Sequence, residues 1–93
     1  MKNSEYFLIK EWHEHRGQTR ENPACLYYGS MIYDYPLVQK VKSYNCYNSR
    51  KAAERIAMKH STAWTRTEVV QVPDDMIIRY KIDKATNTYI PAE

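Results

Sequence analysis

The densest group of chemically able side chains is Trp12-His13-Glu14-His15. In an extended chain His13 and His15 project to one side and offer two imidazole donors to a metal, with His60 or a cysteine needed to complete the set. Local geometry fixes only those two donors, so the simpler expectation is a pair of solvent-facing histidines at a strand end. Cys25 and Cys46 match no metal-ligand spacing such as C-x-x-C and read as free thiols of a reducing compartment. A three-residue turn at Asp34, Tyr35 and Pro36 puts the two sulfurs on opposite faces of a sheet, and an even-numbered turn lets them meet. Asp74-Asp75 is turn chemistry. No G-x-S-x-G is present, and Gly17 and Gly29, the only two glycines, are too far apart to build a phosphate loop. These residues point away from an enzyme and away from a metal or other cofactor.

The elements that carry these residues follow from patterning. Tyr6, Phe7, Leu8, Ile9 and Trp12 favour a first strand, with Leu8, Lys10 and Trp12 on one face and Phe7 and Ile9 on the other. Residues 16–23, rich in polar and charged groups, read as a mobile contact loop. A second strand spans residues 24–33, with a bulge at Gly29-Ser30. The turn at Asp34 to Pro36 leads into a third strand ending at Tyr44, on which Val38, Lys40, Lys42 and Tyr44 share a wet, basic face. Ser49 or Asn48 caps a helix over Arg50 to His60, whose residue types are good helix formers. At 100° per residue Ala53, Ile56, Ala57 and His60 fall on one stripe, while Lys51, Glu54, Arg55 and Met58 lie opposite, flanked by Arg50 and Lys59. Two further strands, residues 63–72 and 76–83, meet at a turn over Pro73-Asp74-Asp75, and Met76, Ile78, Tyr80 and Ile82 are expected to face the helix. Residues 84–93 form a loosely held tail. The predicted fold is α+β: one domain over residues 1–93, with an antiparallel sheet of about five strands in the order β-β-β-α-β-β and one helix packed on one face.

Charge and aromatic content suggest binding. Fourteen Lys and Arg against eleven Asp and Glu leave a net charge of +3, which counts against an acidic mimic of DNA and permits contact with nucleic acid or an acidic partner. The uncovered sheet face is expected to show some of Lys40, Lys42, Tyr44, Arg66, Arg79 and Lys81. Six of the nine tyrosines fall between Tyr27 and Tyr47, more than a small core can bury, and exposed tyrosines favour interfaces. Met58 adds an apolar contact on the outer helix face. No apolar run approaches the ~20 residues that span a bilayer, and the start Met-Lys-Asn-Ser-Glu lacks the apolar stretch of a signal peptide, so no membrane partner is expected.

Three stretches resemble a known family: Tyr6-Phe7-Leu8-Ile9-Lys10-Glu11, the helix from Ser49 to Lys59, and Thr62-Ala63-Trp64-Thr65-Arg66-Thr67-Glu68. Together they cover about half of the chain and are similar to small phage anti-CRISPR proteins built from an antiparallel sheet and one helix, in particular a type I-F inhibitor. The tyrosine-rich stretch from Pro23 to Tyr47 departs from that pattern. The resemblance implies a phage-encoded inhibitor that works in the cytoplasm of an infected bacterium. It would bind protein subunits of a CRISPR-Cas effector complex, with contact to nucleic acid left open, and block target recognition. By motif position it carries over Lys51, Arg55 and Lys59 as contact residues. A small basic nucleic-acid-binding module is the alternative.

Overall fold

The computed structural model describes residues 5–23 and 26–92. In chain order the elements are β1 Phe7–His13, β2 Leu26–Tyr28, β3 Ile32–Tyr33, β4 Val41–Lys42, α1 Arg50–His60, β5 Thr65–Gln71, β6 Ile77–Ile78, β7 Tyr80–Asp83 and β8 Thr88–Pro91. The fold is α+β, with one helix and a four-stranded antiparallel sheet in the order β3-β2-β1-β5, joined by two small pairs, β4-β6 and β7-β8.

β1 is the shared wall of two cores. Its register sets Ile9 opposite Tyr28 on one side and Val69 on the other. Because strand side chains alternate, Phe7 and Ile9 face one way, where they meet Ala53 and Ala57 of α1. Leu8 faces the other way and packs with Tyr33, Val41, Val72 and Ile77. Leu8 and Ile9 are both wholly buried, and burial of such a side chain stabilises by roughly 1.5–3 kcal/mol.

α1 forms where propensity and capping agree. Ser49 Oγ accepts the Ala52 N–H at 3.1 Å, satisfying one of the free amides of the first turn. The helix enters the sheet face directly after Tyr47, whose backbone exchanges two hydrogen bonds with Phe7, at 2.7 and 2.9 Å. It then runs over β1 and β5. Ala53 and Ala57 are small enough to let it lie close. A helix about 10 Å across covers roughly two strands spaced about 4.8 Å apart, so β2 and β3 keep their helix-side face open.

Several sequence expectations are corrected. Residues 37–44 do not pair beside β2: only Val41 and Lys42 are extended, and they pair in parallel with Ile77 and Ile78. Of the strand expected over residues 24–33, the described part, 26–33, forms a tight hairpin in place of one bulged strand. Gly29 N–H donates to the Met31 carbonyl at 3.0 Å and reverses the chain between β2 and β3. The strand expected over residues 76–83 leaves the main sheet, because Pro73 has no N–H to extend the ladder after Val72 donates to the Tyr6 carbonyl at 2.9 Å. A short 3₁₀ turn over Asp74–Met76 then redirects the chain. Ile77 reaches the Leu8 core, and Met76, Ile78, Tyr80 and Ile82 do not line the helix. The expected loose tail is ordered over Thr88–Pro91, which pairs antiparallel with β7; residue 93 lies outside the described residues.

The polar loop over residues 16–23 is tied back to β5. Arg20 forms a fork on Glu68, with Nε at 3.0 Å and Nη2 at 2.6 Å. That hydrogen bond holds the Glu68 carboxyl below its ordinary range against the opposing effect of burial. Cys46 carries a free thiol. Cys25 lies outside the described residues, as does its expected placement relative to Cys46.

Two outcomes follow from this packing. A Cβ at Gly29 would collide with the Asn45 carbonyl and press on Leu8, so Gly29→Ala should lower stability by about 1–3 kcal/mol in denaturant unfolding; unchanged stability would show that this approach is not tight. Burial pushes the Cys46 thiol up to about 11. In a Cys25→Ser variant, alkylation of native Cys46 at pH 8 should therefore run about 100-fold slower than in the unfolded chain and rise about tenfold per pH unit towards 11; equal rates would contradict this burial.

Candidate interaction surface

The residues picked from sequence fall into three places. Lys51, Arg55, Met58 and Lys59 occupy the solvent face of α1, all exposed, opposite Ala53 and Ala57. Successive steps of four residues set Lys51, Arg55 and Lys59 in one row, with about 6 Å of rise between neighbours. Met58, 77% exposed, stands beside that row.

Three arginines elsewhere are held in ion pairs. Arg20 pairs with Glu68 at 2.6 Å, Arg79 with Asp74 at 2.7 Å and Arg66 with Glu14 at 3.3 Å. Arg66 also donates to the Thr62 carbonyl at 2.9 Å, so it belongs to the structure of the β1-β5 end and not to the helix row. Arg50 lies apart from the row, its guanidinium over the Phe7 ring at 4.9 Å. Among the described residues, Lys51, Arg55 and Lys59 have no ion-pair partner.

Lys40, Lys42 and Tyr44 are not on an open face of the main sheet, because that side of β1 is covered by the Leu8 core. Lys40 is exposed just before β4, and Lys42 and Tyr44 belong to a second surface. Tyr44 lies in a 3₁₀ turn over Ser43–Asn45 and stacks on Tyr89 at 4.2 Å between ring centroids. It meets Tyr80 edge-on at 5.1 Å, and the Lys42 ammonium sits 6.0 Å from the Tyr44 ring. Ser43 Oγ anchors the base of this cluster by accepting the Tyr80 N–H at 2.9 Å. The pairing of Tyr80 with Pro91 and Ile82 with Tyr89 puts four apolar side chains on one face of the β7-β8 hairpin. Tyr80 and Tyr89 were missed as partners of Tyr44. The signal that finds them is alternation on both sides of the turn at Asp83 to Thr88, where Asn87 takes a positive φ of 58°.

The histidines do not converge. β1 ends at His13, and the Glu14–Arg16 turn swings His15 towards Trp64, with 5.6 Å between rings. His13 Nε2 lies 3.0 Å from Glu11 Oε2, its Nδ1 lies 3.3 Å from Thr65 Oγ1, and its ring meets His15 edge-on at 5.9 Å. Among the described residues, no group of three or more His, Cys, Asp or Glu is placed to hold a metal ion. No helix among them is long and apolar enough to cross a membrane.

No family model, curated protein or solved structure matches the chain.

The stack on Tyr44 gives the β7-β8 hairpin its main aromatic support, since an isolated two-stranded ribbon is marginal in water. Tyr44→Ala should speed amide exchange across residues 80–91 by about tenfold while leaving β1 and β5 protected; uniform acceleration of the whole chain would instead place Tyr44 in the global core.

Proposed function

We propose that the protein acts by binding, not by catalysis, and that the outer face of α1 is the surface it presents to a macromolecular partner. The observation that carries this is placement: Lys51, Arg55 and Lys59 stand in one exposed row on a single helix face, without ion-pair partners among the described residues. Such a row raises the local positive potential and steers an acidic surface towards it. Met58 beside the row favours a protein patch over a bare phosphate backbone, since interfaces combine a central apolar anchor with charged neighbours.

The partner we propose is a bacterial CRISPR-Cas effector complex, bound by a phage-encoded inhibitor that blocks pairing of the guide with its target. Support for that identity is the resemblance of the first strand, the helix and residues 62–68 to small anti-CRISPR proteins. Lys42 and Tyr44, with the Tyr80 and Tyr89 rings, offer a separate aromatic contact.

Binding to a purified type I-F surveillance complex tests this directly. The wild-type chain should bind and block target DNA, and the Lys51→Glu/Arg55→Glu/Lys59→Glu variant should lose about 100-fold in affinity. Its unfolding midpoint should barely move, because exposed substitutions usually stay within about 0.5 kcal/mol. If the complex is ignored while duplex DNA or RNA is bound with a steep salt dependence, the nucleic-acid-binding alternative replaces this one.

A further inference from the structure

The open half of the sheet holds a feature unlike the basic helix face. Because α1 covers β1 and β5, a groove of about 710 Å³ remains beside its C-terminal end, over β2 and β3. That volume is within the ~300–1,000 Å³ of small-ligand sites. Its walls include Glu11, Tyr28, Tyr47 and His60, with Met31 and Ile32 at the open rim.

The chemistry of these walls is specific. Glu11 and Tyr28 share a sheet face as diagonal neighbours, since Glu11 stands opposite Leu26 and Ile9 opposite Tyr28. The Glu11 side chain is only 19% exposed, and Oε2 meets His13 Nε2 at 3.0 Å. No hydrogen bond from the described residues reaches its Oε1. Tyr28 and His60 meet edge-on at 5.2 Å. Burial first, then the Glu11 charge and Tyr47, raises the Tyr28 hydroxyl above its ordinary range and keeps it neutral. That hydroxyl is enclosed and has no hydrogen-bond partner, an unsatisfied polar group of the kind that gathers at functional sites.

We propose that this groove is a binding site for an organic cation, an alkylated ammonium or guanidinium head, held by the Glu11 carboxylate and the faces of Tyr28, Tyr47 and His60. A half-buried carboxylate supplies charge where water screens it weakly, and the ring faces present negative quadrupoles to a cation that carries little hydration. Met31 and Ile32 cover the alkyl part of the guest. The basic row of α1 has the opposite preference, so the two surfaces take different ligands.

The test is an NMR titration of the ¹⁵N-labelled full chain with choline and, in parallel, with a short peptide carrying trimethyllysine. At least one should give saturable shifts confined to residues 11, 26–32, 47 and 60. Tighter binding of the peptide assigns the cation to a partner's side chain, and tighter binding of choline assigns it to a free small molecule. The neutral isostere 3,3-dimethylbutanol should bind at least tenfold more weakly than choline. Glu11→Gln should weaken cation binding at least tenfold, whereas Glu14→Gln, whose carboxylate pairs with Arg66, should leave it unchanged. His60→Ala, at an exposed helix end, should weaken it several-fold without unfolding the chain. Equal binding of the neutral isostere, undiminished binding by Glu11→Gln, or no saturable shift with either cation would overturn the proposal.

Discussion

A strand buried on both faces must satisfy two layers with alternate residues of one short segment. β1 meets that constraint with Leu8 and Ile9, adjacent in sequence, wholly buried and facing opposite ways. The Ile9 side accepts a helix whose contact residues are alanines, and the Leu8 side accepts chain from three distant segments: Tyr33, Val41, and Val72 with Ile77. Neither layer is large, and neither would be independently stable at this size. Sharing one strand couples them, so the loss of either side exposes the same wall.

What the helix leaves uncovered follows from the same constraint. α1 is anchored at Phe7 through the Tyr47 backbone and runs to the start of β5, and its width spans only the β1-β5 half of the sheet. One consequence is an outward helix face whose cations have no structural role. The other is an inward groove over β2 and β3, where the enclosed Tyr28 hydroxyl has no hydrogen-bond partner. Arg20, Arg66 and Arg79 are held in ion pairs, whereas Lys51, Arg55 and Lys59 form a row on one helix face without ion-pair partners among the described residues.

The parts legible in the sequence were those decided locally. Helix propensity and the Ser49 cap place α1 at Arg50–His60, and β-branched and aromatic runs mark β1 and β5. The outer helix residues could be assigned as soon as the period was known. Pairing partners were not legible, because they depend on contacts far apart in sequence. Leu37 to Tyr44 alternates like a strand, yet Val41 is drawn into the Leu8 core and only two residues pair. Pro73 looks like part of a hairpin turn in the sequence, yet its missing N–H is also what releases the chain from the sheet. Lys40, Lys42 and Tyr44 therefore left the open face assigned to them. The Tyr44 stack on Tyr89 joins segments forty-five residues apart, which no local pattern encodes.

The central claim is that the outer row of α1 is the surface covered when the protein works. Lysine footprinting reads this directly: a water-soluble acylating reagent is applied to the protein alone and to the protein bound to a purified effector complex, and labelling is followed at each lysine by mass spectrometry. The account predicts that Lys51 and Lys59 become strongly protected in the complex while Lys81 and Lys84 on the β7-β8 hairpin label as before. Equal labelling of Lys51 and Lys59 in the free and bound protein would contradict it.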